Sequence, residues 1–159
     1  MNMRIAARLL FALIPVWFLC GEPALANTPR PTVSVFDVRQ EKVVAVWPLT
    51  EALQARVLSA LEASPVTYAN TAVDPKDGWV LHIPFAAPVR PRHAFYARPV
   101  QEAYLFLAPG QQPYALLFLT AKRHTFVVAE LAFDPAPFVR MIEQSKREPA
   151  SSDRHSGTG

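Results

Sequence analysis

The sequence predicts an α+β domain: one antiparallel sheet of about six to seven strands with two helices packed mainly on one face. Three observations predict it. Short runs rich in Val, Ile, Phe and Tyr recur between Pro, Gly and Asp turn signals, as strands do. Only two segments carry helical spacing, one after the first pair of strands and one after the last strand, so the elements do not alternate as in a parallel α/β fold. Hydrophobic residues make up 51% and charged residues 18%, a balance that supports a packed core rather than a disordered chain.

The elements follow in order. Asn27 to Thr32, with Pro29 and Pro31, reads as an extended leader. Val33 to Val38 and Val43 to Trp47 are strands joined by the polar turn Arg39 to Lys42. Thr50 can cap a helix starting at Glu51, in which Leu53, Val57, Leu58 and Leu61 recur on one side, and Ser64 with Pro65 stops it. Val66 to Val73 and Trp79 to Ile83 are the next strands, joined by Asp74, Pro75, Lys76, Asp77 and Gly78. Pro84, Pro88, Pro91 and Pro99 then mark a stretch expected to be neither central strand nor helix, because each proline lacks a backbone donor. A meander follows: Val100 to Ala108, a turn at Pro109 and Gly110, Tyr114 to Thr120, a turn from Ala121 to His124, and Thr125 to Phe133. Asp134 as N-cap with Pro135 at the first helical position opens the last helix, carried by Phe138, Met141 and Ile142. The 147–159 segment has no apolar residue larger than alanine and is expected to be a disordered tail after a single domain over 27–146.

The first 26 residues look like an address. Arg4 and Arg8 form a positive start, Leu9 to Cys20 an apolar stretch, and Ala24, Leu25 and Ala26 a small-x-small cleavage site, so a cleaved signal peptide and an exported product are expected. The apolar stretch falls short of the roughly 20 residues that span a bilayer, which disfavours an uncleaved anchor. Cys20 would allow a lipid-modified N-terminus, but the bulky Trp17, Phe18 and Leu19 before it disfavour that. No membrane span is expected in the mature chain.

Several chemistries are disfavoured by composition. Cys20 is the only cysteine, so the mature chain has no thiol nucleophile, disulfide or cysteine metal cluster. Only Gly78 and Gly110 of the five glycines lie in the expected fold, too few for a phosphate-cradling loop. A net charge of +3, lowered further when Arg4, Arg8 and Glu22 leave with the leader, gives no ground for nucleic-acid binding. His82, His93 and His124 have no metal-ligand spacing, so neither metal nor cofactor is expected. None of the mature serines has the glycine-turn setting of a hydrolase nucleophile, and Asp74 and Asp77 are first of all turn residues. Trp47 and Trp79 at strand ends are read as packing residues, with sugar stacking as the sharper alternative.

The segment from Pro88 to Pro99 stands out. No acid lies between Asp77 and Glu102, so Arg90, Arg92 and Arg98 make a local positive site, interleaved with His93, Phe95 and Tyr96. Guanidinium forks suit carboxylates and phosphates, and aromatic rings suit sugars or protein side chains. These six residues are the candidate binding residues. The competing expectation is a solvated loop whose arginines pair with Glu102 or Glu130. In addition, Tyr104 to Leu107 and Leu116 to Leu119 are apolar at every position, so the middle of the sheet needs cover on both faces. Two helices can cover one. The proline-rich stretch, strong curling or a second molecule would have to cover the other.

The function expected is therefore an exported, non-catalytic binding or accessory protein of the cell envelope, contacting an envelope protein or an anionic polymer. A small extracytoplasmic hydrolase with a carboxylate site, and an inhibitor or regulator of a secreted enzyme, are the alternatives.

Overall fold

A computed structural model describes residues 30–69, 73–120 and 125–147, so the expected leader peptide, the polar C-terminal tail and His124 lie outside the described residues. The chain forms one antiparallel sheet of seven strands with two helices, the α+β architecture that the order of elements predicts. The strands are β1 (Thr32–Asp37), β2 (Lys42–Pro48), β3 (Val66–Thr67), β4 (Trp79–Val89), β5 (Val100–Leu107), β6 (Tyr114–Leu119) and β7 (Thr125–Glu130), and the helices are α1 (Glu51–Leu61) and α2 (Ala136–Arg147). Their order across the sheet is β2-β1-β4-β5-β6-β7-β3.

Two strands depart from the local pattern. The strand expected over Val66 to Val73 shrinks to Val66–Thr67, and it pairs with β7 at the sheet edge instead of forming a hairpin with β4. Its expected turn serves another purpose: Arg39 on the β1–β2 turn meets Asp77 at 2.6 Å, and the Gly78 carbonyl accepts from Val38 N at 3.0 Å. The turn thereby anchors the entry to β4 on its neighbour β1. β4 in turn runs on through Pro84 and Pro88 to Val89, correcting the expectation that this stretch could not belong to a strand inside the sheet. The reason is that β1 pairs with β4 only as far as Ser34 opposite His82. Beyond that point β4 has one hydrogen-bonded neighbour, β5, and its register breaks between Pro84 and Val89, the edge-like setting in which a strand tolerates proline.

Both helices pack on one face. Cross-strand neighbours Val35, Leu81, Leu105, Ala115 and Ala129 form a row of fully buried residues on it. Alanines at 103, 115 and 129 keep that surface shallow enough for helices to approach. Thr50 Oγ1 accepts from Leu53 N at 3.2 Å to cap α1, which buries Leu53, Val57, Ala60 and Leu61. Asp134 accepts from Ala136 N at 2.9 Å at the start of α2, and the Pro135 carbonyl accepts from Phe138 and Val139, so Pro135 stands just before the helix rather than in it. α2 docks through buried Phe138 and Ile142 and through Trp47, whose Nε1 donates to Ser145 Oγ at 2.8 Å.

One ion pair ties α2 to the sheet. Lys146 Nζ lies 2.8 Å from the Asp37 carboxylate, which is buried and also accepts from Gln40. The Lys146 hydrogen bond is the main cause that holds the Asp37 carboxyl below its ordinary value of 3.8, against the opposing effect of burial. A depressed folded value means that this contribution is present in full above the unfolded value near pH 4 and is lost as pH falls through the folded one. Lys146→Met is therefore expected to cost roughly 1–3 kcal/mol at neutral pH and to flatten the acid limb of stability, measured as unfolding midpoint against pH.

Candidate functional site

The loop from Arg90 to Pro99 divides into anchors and exposed charges. Tyr96 is buried, its hydroxyl donating to the Leu61 carbonyl at the end of α1, and burial pushes its phenol well above the ordinary range. Phe95 is half-buried and meets Tyr96 edge-on at 5.2 Å. His93 is exposed, and its Nδ1 accepts from Phe95 N at 3.1 Å, folding the loop on itself. Arg92 N donates to Glu62 Oε1 at 2.5 Å, a second tie to α1. Those ties seat the proline-rich stretch on the helix side of the sheet, so it does not close the opposite face. Arg90, Arg92 and Arg98 remain exposed, and among the described residues none of the three forms a salt bridge; Glu102, one of the partners considered for them, is engaged by His82 instead.

The face opposite the helices is aromatic. Phe36, Val43, Val46, Val66 and Phe126 are the exposed large hydrophobic residues among those described, with exposures from 37% to 60%. The registers put all five on this one face: Val46 lies opposite Ser34, Val43 opposite Phe36, Phe126 opposite Phe118, and Val66 opposite Glu130. Between them stand Tyr104, Phe106, Tyr114, Leu116 and Phe118 on the two central strands. Sequence periodicity showed that β5 and β6 are apolar on both sides, but only the register gathers the exposed residues of four other strands beside them.

Ring geometry shows how this face is presented. Phe106 and Tyr114 are cross-strand partners with ring centroids 4.5 Å apart and planes 8° from parallel, and His82 and Tyr104 repeat the arrangement at 4.6 Å and 14°. Neighbouring strands lie about 4.8 Å apart, so parallel rings at that spacing stand upright on the sheet. Tyr104 and Tyr114 are half-buried and Phe106 is only 7% exposed, with Tyr68 stacked on Tyr114 at 4.9 Å, so little flat ring face is open to solvent. Sugar stacking needs exposed ring faces; an upright row interdigitates with another apolar side-chain layer.

A polar cluster sits within this face. His82 Nε2 and Glu102 Oε1 are 2.6 Å apart, and a hydrogen bond to Glu102 is the leading cause that pushes the Tyr104 phenol up to about 12. The His82 contact gives this half-buried carboxylate a partner in apolar surroundings. His82 and Glu102 meet only through the β4–β5 register, because they belong to different strands.

The other candidates resolve into packing and turns. Asp74 pairs with Lys76 and Asp77 with Arg39, and no group of three or more His, Cys, Asp or Glu that could hold a metal occurs among the described residues. Trp47 and Trp79 are half-buried against the core; the Lys146 ammonium lies 5.5 Å from the Trp79 ring centre. No helix among the described residues is long and apolar enough to cross a membrane. Comparison with protein-family models, curated proteins and solved structures finds no match to this chain.

Proposed function

We propose that the chain is an exported, non-catalytic binding protein whose working surface is the aromatic face of the sheet, docking against an apolar protein surface of the cell envelope. The single observation that carries this is the gathering of every exposed large hydrophobic residue among those described onto that face. Exposed large hydrophobic residues gathered on one face mark a surface that meets another molecule. The upright rings favour a protein side-chain layer over a sugar, and Glu102, already engaged by His82, supports a structural rather than a catalytic role. Export rests on the apolar leader and small-x-small site at the start of the sequence.

The test is site-specific crosslinking in intact cells from position 126 or 46, followed by affinity measurement with the captured protein. Phe126→Glu and Val46→Glu are expected to weaken the complex about thirtyfold or more each, as loss of an interface anchor does. Both positions are exposed, so the fold should tolerate the changes. Undiminished binding by these variants, with loss instead on joint Arg90, Arg92 and Arg98→Ala replacement, would overturn the sheet-face assignment in favour of an anionic partner.

A further inference from the structure

A second site lies on the opposite side of the molecule, in the cleft between α1 and α2. It has a volume of about 680 Å³, well within the range of small-molecule sites, which run to roughly 300–1,000 Å³. Its floor is apolar: Ala60 and Phe138 are buried, and Phe133 and Met141 are half-buried beside them. Its rim carries two arginines, Arg56 from α1 and Arg140 from α2. Neither forms a salt bridge among the described residues.

The position of Arg56 is informative. Its Nη1 reaches across the cleft to Met141 Sδ at 3.4 Å, so the guanidinium lies over the apolar floor, and among the described residues its hydrogen-bond partner is a thioether, a weak acceptor. A carboxylate is a far better partner, since it accepts two parallel N–H bonds from one guanidinium. The acid at the cleft, Asp134, accepts from the Ala136 amide through Oδ1 and forms no salt bridge with either arginine among the described residues. An apolar floor with the Arg56 guanidinium over it and Arg140 in the lining, neither in a salt bridge among the described residues, fits a ligand with an anionic head and an apolar body.

We infer that this cleft binds an amphipathic monocarboxylate, its head between Arg56 and Arg140 and its hydrocarbon body on Phe133, Phe138 and Met141. Nothing in the sequence signals it, because Arg56 and Arg140 are 84 positions apart and each reads as an ordinary solvated helix residue.

The test is calorimetric titration of the full chain with octanoate, decanoate and dodecanoate, and with octanol as the uncharged control. One saturable site is expected, with affinity rising about two- to fourfold per added methylene and octanol binding about tenfold or more weaker than octanoate. Joint Arg56→Gln and Arg140→Gln replacement should weaken decanoate about tenfold or more and remove the salt dependence of binding, with an unchanged unfolding midpoint because both residues are exposed. Ser59→Trp, at an exposed position lining the cleft, should block it. No binding by the folded chain, equal affinity for octanol and octanoate, or undiminished affinity in the double variant would overturn the assignment. Phe126→Glu should leave decanoate binding intact, so failure at the sheet face and failure at the cleft are read separately.

Discussion

Replacing Gly78 by alanine is expected to lower the unfolding midpoint by roughly 10 °C or more, at a cost of about 3 kcal/mol or more. Gly78 has φ +88°, a region in which an L side chain is strained, and it opens β4 where that strand is wedged between β1 and β5. A Cβ placed there would stand 2.1 Å from the Leu107 carbonyl oxygen and 2.7 Å from Ala108 Cα. Those atoms are backbone and cannot swing aside. β4 would have to move away from β5, and the Gly78 carbonyl would be pulled from Val38 N on β1. Gly110 is the internal control: its φ is +68°, but nothing lies within 4 Å of the added Cβ. Gly110→Ala should therefore cost only about 1 kcal/mol, the backbone penalty alone. Thermal unfolding of the two variants side by side separates close approach from conformational strain. A similar small loss in both would mean that β4 and β5 are not in the contact described.

Phe138→Ala should be as damaging, at about 3–5 kcal/mol, a large share of the roughly 5–15 kcal/mol that stabilises a domain. Phe138 is 1% exposed and packs edge-on against Phe133 with centroids 5.8 Å apart. Together with Ile142 it is one of the two residues that α2 buries, so its removal leaves a cavity beneath half the contact that docks the helix. Loss should reach Trp47, whose indole donates to Ser145 on the last turns of α2. The expected readout is a fall in unfolding midpoint together with a red-shifted tryptophan emission under native conditions. An unchanged midpoint would mean that α2 contributes little to the core. Because Phe138 also floors the cleft, this variant tests packing and not ligand binding.

β1, β2, β5 and β6 fall within a residue or two of where β-branched and aromatic runs place them, and α1 starts at Glu51 as the Thr50 cap requires. These elements are legible because their signals are local: alternation, a cap, a turn. β3 and the far half of β4 are not. Val66 and Thr67 are a strand only because β7 offers them an edge, and Pro84 to Val89 remain a strand only because β1 has already left. Neither fact is carried by the residues concerned.

The candidate site divides in the same way. The acid-free interval around Arg90, Arg92 and Arg98 is visible along the chain, and these arginines are exposed and free of salt bridges among the described residues. That Tyr96 is an anchor to Leu61 required the position of α1. By itself the sequence determined an α+β composition, two amphipathic helices, and a central pair of strands apolar on both faces. Only the tertiary structure decided which face the helices took. They lie on the one where Ala103, Ala115 and Ala129 leave room for close approach, and Tyr104, Phe106, Tyr114 and Phe118 are left on the other. Period-two alternation assigns residues to two faces but cannot rank them; that ranking depends on shape complementarity between elements distant in the chain.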